Sequence, residues 1–466
     1  MTVLKSPPPS RLPSHLAPYR RNLALLKITA VCRHWRSIAS EYATLWTNIA
    51  FSTSSPSEIK CATLFFARSK GALLSVQILD SGDTRHPSSE RLLKKIAGQS
   101  HRISACELSS PSPAFWGYWS FHAPNLQKLK TNSHGMEIRP IFRGETPRLE
   151  TVSVLYHSPW PLGRFALLRR ADLRNNNRSV TLVSLLDALR GCELLERLAL
   201  HGYYNLERTN PPPATVSLPR LNQLDFFSSD SALILSCLNT PSLNGPLIIF
   251  NSNPYRHILC SLPEPRDDTP YLRGITKLQV ILNSYSAEYY VAGYRGEGPP
   301  AFYVGVCGVG HWFRWTWVHE SIKALTSFRQ FSNIRALTFS TDALAVPWDA
   351  WLPKLPSVRE LAVSCPRTEG LLTALLKYPP EGGLPFCPLL SSLALFRCGK
   401  YAVVDHVNLM EFVLSRYRMR RPLRTLKLHK DEWDCIRGLN QSWATLARTQ
   451  CTFLQQWSTF QSLMHC

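Results

Sequence analysis

The chain has 466 residues, 44% of them hydrophobic and 18% charged, which is the composition of a globular protein and not of a disordered or collagen-like one. At about 150 residues per domain, its length predicts roughly three units or one long repeat array. Its 53 Lys plus Arg against 32 Asp plus Glu leave a formal charge of +21, yet the longest apolar run, 301–310, falls short of the about 20 residues a membrane-spanning helix needs.

The opening stretch, MTVLKSPPPSRLPSH, lacks the apolar core of a secretory signal, so the chain reads as soluble and intracellular, cytoplasmic or nuclear. The 13 cysteines are scattered from Cys32 to Cys466 with no C-x-x-C pair, a spacing that fits buried reduced thiols better than bridges or zinc ligands. Basic residues never run beyond pairs, and the densest stretch, Arg416 to Arg424, reads as a solvated face at a helix end followed by a strand. Residues 1–20 hold five prolines and few core residues, the composition of a flexible tail.

Residues 21–60 begin with a helical pattern. Leu25, Ile28, Cys32, Trp35 and Ala39 recur at three and four residues, predicting one apolar helix stripe, with Lys27, Arg33, His34 and Arg36 on the polar face. Leu45, Trp46 and Ile49 supply a second apolar cluster.

Residues 61–466 are organised by a recurring phrase, (Pro)-x-Leu-x-x-Leu-x-Leu. Good copies begin their apolar pattern at Leu126, Leu149, Leu195, Leu221, Ile334, Val358, Leu390 and Leu423; weaker ones start at Ile103, Leu168, Leu243 and Ile275. Most copies are spaced within or just beyond the 20–29-residue period of leucine-rich repeats, with one wide gap between Ile275 and Ile334. In a short strand the last two apolar positions share a face, which predicts that they bury while the residues between them point outward. Helical periods lie between copies. Val180, Val183, Leu186 and Leu189 form one predicted stripe before a stop at Gly191; Val404, Val407, Met410 and Leu414 form another; and 370–380 ends at prolines. One strand–loop–helix unit cannot bury its apolar face alone, so the units are expected to stack. The fold class predicted is therefore α/β, an irregular leucine-rich-repeat-like solenoid preceded by a short α-helical segment.

The wide gap includes 287–323, where Tyr303, Val304 and Val306 and then Phe313, Trp315 and Trp317 suggest one or two strands, read either as a degenerate repeat or as an extra hairpin. Gly305, Gly308 and Gly310 do not make a phosphate-binding fingerprint.

The segment VCRHWRSIA followed by LWTNI (Val31–Ile49) resembles the C-terminal half of the F-box in a large family of basidiomycete F-box proteins, whose leucine-rich-repeat-like solenoid is similar to the repeats downstream. The resemblance implies a substrate-recognition adaptor of a Skp–cullin–F-box type ubiquitin ligase. Its helices would dock on a Skp-type adaptor and its solenoid would capture a protein substrate. Matched by motif, the docking or F-box core positions are Val31, Cys32, Trp35, Ile38, Leu45 and Trp46. A complete F-box opens with Leu-Pro and an apolar helix well upstream; here Leu12-Pro13 stands only 18 residues before Val31, so the first half reads as shortened or missing. Two alternatives stay open: that the helix caps the solenoid, and that the chain is a protein-binding scaffold with no ubiquitin link.

No hydrolase, metalloprotease or P-loop motif occurs. His311 and His319 read as strand or loop residues and Asp267-Asp268 as a turn. The expectation is a non-enzymatic chain without cofactor or metal. Candidate substrate-facing residues are the outward strand positions Lys128, Lys130, Thr151, Ser153, Arg197, His201, Gln223, Asp225, Glu360, Thr425 and Lys427, whose mixed charge favours a protein ligand over nucleic acid.

Overall fold

The structure is a computed structural model that describes residues 17–82, 85–133, 141–144, 146–155, 165–175, 181–202, 214–227, 231–251, 274–283, 288–306, 332–342, 346–378, 385–397 and 404–428. Residues 1–16, Val180, Asp267-Asp268, Gly308, Gly310, His311, Phe313, Trp315, Trp317 and His319 lie outside them. The chain is mixed α/β with parallel-dominated sheet and divides into two compact units, Met1–Leu221 with Cys237–Pro241, and Asn222–Ser236 with Ser242–Cys466.

The repeated phrase is a turn followed by a strand. In Ala123-Pro124-Asn125-Leu126 the Leu126 amide donates to the Ala123 carbonyl at 3.1 Å. The same bond closes Thr146 to Leu149 (3.0 Å), Leu218 to Leu221 (3.2 Å), Leu355 to Val358 (3.3 Å) and Cys387 to Leu390 (3.0 Å). Proline at the second position of such a turn presets φ and removes an amide the turn does not use. The first apolar residue of the phrase is buried in every copy from Ile103 to Leu423, and the strand follows two residues later in most of them.

In the first unit seven strands pair parallel in chain order: β1 (Asn48–Ser52), β2 (Leu74–Leu79), β3 (Ile103–Ser109), β4 (Lys128–Asn132), β5 (Thr151–Leu155), β6 (Arg170–Asn175) and β7 (Arg197–Gly202). The register aligns Cys106, Leu129, Val152, Ala171 and Leu198 into one buried rung. A short parallel pair, β8 (Val216–Ser217) with β10 (Leu238–Asn239), belongs to the same unit. The helices are α1 (Ala17–Ala30), α2 (Arg33–Glu41), α3 (Pro56–Arg68), α4 (Pro87–Ala97), the single turn α5 (Pro113–Trp116) and α6 (Leu182–Leu189). Ser55 caps α3 ahead of Pro56, and Thr181 caps α6, which ends before Gly191 at φ +86°. The sheet begins at β1, inside the block assigned by sequence to helix.

The second unit holds β9 (Gln223–Phe227), α7 (Ser231–Ser236), β11 (Leu247–Asn251), β12 (Lys277–Asn283), β13 (Glu288–Tyr294), β14 (Phe302–Val306), β15 (Ala336–Thr341), α8 (Trp348–Trp351), β16 (Glu360–Cys365), α9 (Glu369–Leu376), β17 (Ser392–Arg397), α10 (His406–Arg418) and β18 (Thr425–Leu428). Within it the strand order is β9-β11-β14-β13-β12-β15-β16-β17-β18. The wide gap contains β13 and β14, and β13 is antiparallel to both its neighbours, so the hairpin alternative describes this part better than a degenerate repeat.

Three helix readings need correction. The predicted N-terminal stripe is broken, because α1 ends at Ala30 and α2 restarts at Arg33 with Cys32 as its cap. In α6 the buried face is Leu182, Leu185, Leu186, Ala188 and Leu189, and Val183 is exposed. In α10 it is Leu409, Phe412 and Arg416, and Val407 is exposed. Arg416 is not part of a solvated face: its guanidinium is buried and donates to the carbonyls of Arg421 (3.1 Å), Cys387 (3.4 Å), Pro388 (3.3 Å) and Leu390 (2.5 Å). It thereby ties the 387–390 turn to the chain that follows α10.

Six of the seven described cysteines are buried thiols, Cys32 alone being exposed. Burial pushes the thiols of Cys192 and Cys387 up to about 12, so both are protonated at neutral pH.

Candidate docking surfaces of the first unit

The six F-box-like positions do not share one environment. Trp46 is fully buried; its indole packs edge-on against Phe65, centroids 4.9 Å apart, under the Arg68 guanidinium, and its Nε1 donates to the Ala39 carbonyl at 2.5 Å. Ile38 is half-buried. Val31 (73% exposed), Trp35 (53%) and Leu45 (44%) face outward. The Cys32 side chain accepts the Trp35 amide at 3.4 Å, a cap that starts α2 directly after α1 and leaves Val31 at the break. Ile28 and Tyr42 add to this exposed apolar surface. Asn22 is buried and donates from Nδ2 to the Asn48 carbonyl at 3.0 Å, which ties α1 to β1.

That tie holds α1 over the outer face of the sheet. Between them lies a groove of about 840 Å³, with Leu25, Ile28 and Leu45 on the helical side and Gln77, Glu107, Lys128, Lys130, Thr151 and Ser153 among the strand residues. The geometry therefore brings together residues expected to do different things: Leu45 from the docking motif, and Lys128 and Lys130 from the substrate-facing set.

The outward positions form rows across the strands. One row runs Ala105, Lys128, Thr151, Arg170, Arg197 and the next runs Glu107, Lys130, Ser153, Asp172, Ala199. Lys130 pairs with Glu107 at 2.6 Å and Arg174 with Asp172 at 3.1 Å. His201 Nε2 lies 3.5 Å and Ser153 Oγ 3.4 Å from the Asp172 carboxylate. Gln223, Asp225, Glu360, Thr425 and Lys427 belong to the second unit. Asp225 is only 6% exposed, with the Gln223 amide 3.3 Å away, so it is a poor candidate for direct contact, whereas Glu360 is exposed. β9, which carries the first two, and β16, which carries Glu360, are separated by five strands of that unit.

Sequence reasoning missed Arg170 and Asp172, although alternation in the weak copy 168–177 places both outward. It also missed a polar cluster at the strand ends. Asp80 is buried, accepts Thr53 Oγ1 at 2.8 Å and Ser110 Oγ at 2.5 Å, and meets Arg85 bidentately at 2.6 and 2.7 Å. Burial alone would raise its pKa; the hydrogen bonds from Arg85, Ser110 and Thr53 and the Arg85 charge outweigh that and hold it below the usual carboxylate range. The signal available was a small polar residue directly after each of the first four strands: Thr53, Asp80, Ser110 and Ser133.

Among the described residues no cluster of His, Cys, Asp and Glu is arranged to hold a metal ion, and no helix is long and apolar enough to cross a membrane. No family model matches the chain, and no curated protein matches it.

Proposed function

We propose that this chain is a non-enzymatic substrate-recognition adaptor of a Skp–cullin–F-box type ubiquitin ligase, with a leucine-rich-repeat-like solenoid of the style found in basidiomycete F-box proteins, working in the cytoplasm or nucleus. The observation that carries the reading is the exposure of three large apolar side chains within fifteen residues, Val31 at the α1–α2 break, Trp35 on α2 and Leu45 in the turn at 43–46 after it, since exposed apolar surface marks interaction sites. Supporting it, the parallel strands of the first unit follow chain order, and the first apolar residue of every copy of the repeat is buried.

Co-purification with a Skp-type adaptor tests the proposal. A stoichiometric complex is expected with the wild-type chain and its loss with Trp35→Ala, the variant keeping its circular dichroism spectrum. No complex from a well-folded wild-type chain overturns the adaptor role. A second reading, a protein-binding scaffold without a ubiquitin link, is favoured by one observation: Ile28 and Leu45 line the groove over the outer face and so serve a ligand there as readily as an adaptor.

A further inference from the structure

We infer that the groove beneath α1 takes an acidic peptide segment that leads with an aliphatic or aromatic side chain. The inference deepens the reading above, in which the outer face is the ligand side, by naming the chemistry of the ligand.

The register supplies the argument. Lys128, Arg170 and Arg197 stand in one row across β4, β6 and β7. With strands about 4.8 Å apart, the first two are about 10 Å apart along the row and the third about 5 Å further. All three are exposed, and among the described residues neither Lys128 nor Arg170 has an ion-pair partner. Among the described residues of β3–β7, the carboxylates of this face stand in the next row, where Glu107 is held by Lys130 and Asp172 by Arg174. The acids of the second row thus have basic partners, and the first row keeps Lys128 and Arg170 as exposed cations with no carboxylate paired to them among the described residues. Of the three basic residues, Lys128 lines the groove together with Leu25, Ile28 and Leu45, and Arg170 and Arg197 continue its row beyond the groove on β6 and β7.

A ligand complementary to both features is amphipathic along its length, with an apolar side chain against α1 and carboxylates over β4–β7. In an extended peptide, same-side residues recur about every 7 Å, and the long Lys and Arg side chains absorb the difference from the strand spacing. A nucleic acid fits less well. Its continuous phosphates would pass Glu107 and Asp172, and its backbone offers nothing to the leucine and isoleucine wall.

Fluorescence anisotropy with labelled peptides tests this on the full chain. The probes are an acidic peptide beginning with leucine, the same peptide beginning with serine, one with its acids replaced by amides, and a single-stranded RNA of similar length. The leucine-led acidic peptide is expected to bind best, with affinity falling at least tenfold for either altered peptide. The same loss is expected for the Lys128→Glu, Arg170→Glu double variant and, independently, for Ile28→Ser, each checked by circular dichroism. Equal binding of the amide peptide, unchanged binding by the charge-reversed variant, no peptide binding, or preference for the RNA overturns the inference. Adaptor co-purification run on the Lys128→Glu, Arg170→Glu variant separates the two claims, because it reports on Val31 and Trp35 and leaves the charged row out.

Discussion

The two units build the same interior and opposite exteriors. On the buried side, Leu198 and Leu200 in the first unit occupy the positions that Leu337 and Phe339, or Leu361 and Val363, occupy in the second. On the outward side, the first unit carries ion pairs and basic rows, whereas β9, β11, β14 and β13 of the second carry rings. The rings of Phe227 and Phe250 stack 4.6 Å apart; Tyr303 follows at 5.3 Å and Tyr290 at a further 5.2 Å. Gly305 is in register with both Phe250 and Tyr290, and a Cβ there would meet the Tyr303 ring at 2.8 Å, so the missing side chain is what lets that ring lie in the row. On the inner face Gly293 plays the same part for Phe302, whose ring would meet a Cβ at 2.1 Å. The repeat thus constrains what points in and leaves the outward positions free. Where β13 interrupts the parallel order, rings replace charges.

The comparison breaks first at the interior. Leu198→Ala and Phe339→Ala are each expected to cost about 2–5 kcal/mol in denaturant unfolding, because both remove fully buried apolar volume from a repeat position. A near-zero cost at either position would show that its unit does not depend on the buried rung.

Next comes the strand-end cluster of the first unit. Asp80→Asn is expected to cost about 3 kcal/mol at neutral pH, since it leaves Arg85 facing a neutral amide. The folded pKa of Asp80 is lowered, so its contribution is complete above the unfolded value of about 3.9 and is lost as pH falls through the folded one. Thermal unfolding should therefore show a constant gap between wild type and variant from pH 7 to about 5, closing below about 4. A gap that widens on acidification would reverse the assigned sign.

The interior was readable because the repeat states it directly: each phrase names its turn, its buried closing residue and its two inward positions. Element type was legible for the same reason, as in α6, α9 and α10. Helix faces were not. Val183 and Val407 fit a stripe by spacing, yet Leu185 and Phe412 are the buried ones, since the rotation of a helix is set by its packing partner and not by its own period. The break at Val31–Cys32 escaped notice because a cysteine is a rare cap and apolar residues continue across it. The groove under α1 and the row of Lys128, Arg170 and Arg197 depend on strand register, which local sequence does not encode. Asp80 was hidden for a related reason, its partners Thr53 and Ser110 lying 27 and 30 residues away.

The smallest effects sharpen the contrast between the two exteriors. Phe250→Thr keeps a β-former in β11 but removes a ring in contact with Phe227 and Tyr303; about 1–2 kcal/mol is expected from lost burial and stacking. Lys130→Thr removes an exposed pair with Glu107 and should cost under about 1 kcal/mol. Salt distinguishes them. At 1 M the Debye length is about 3 Å, so the Lys130→Thr difference should fade while the Phe250→Thr difference persists, because apolar burial is not screened. If both costs faded together, the ring row would owe its stability to charges around it, and the two outer faces would be variants of a single electrostatic design. If neither faded, the Lys130–Glu107 pair would be contributing through the packing of its methylenes over the outer face. Persistence of one and loss of the other is the outcome that follows from the geometry: rings in contact at van der Waals distance in one unit, and solvated ions held by Coulomb attraction in the other.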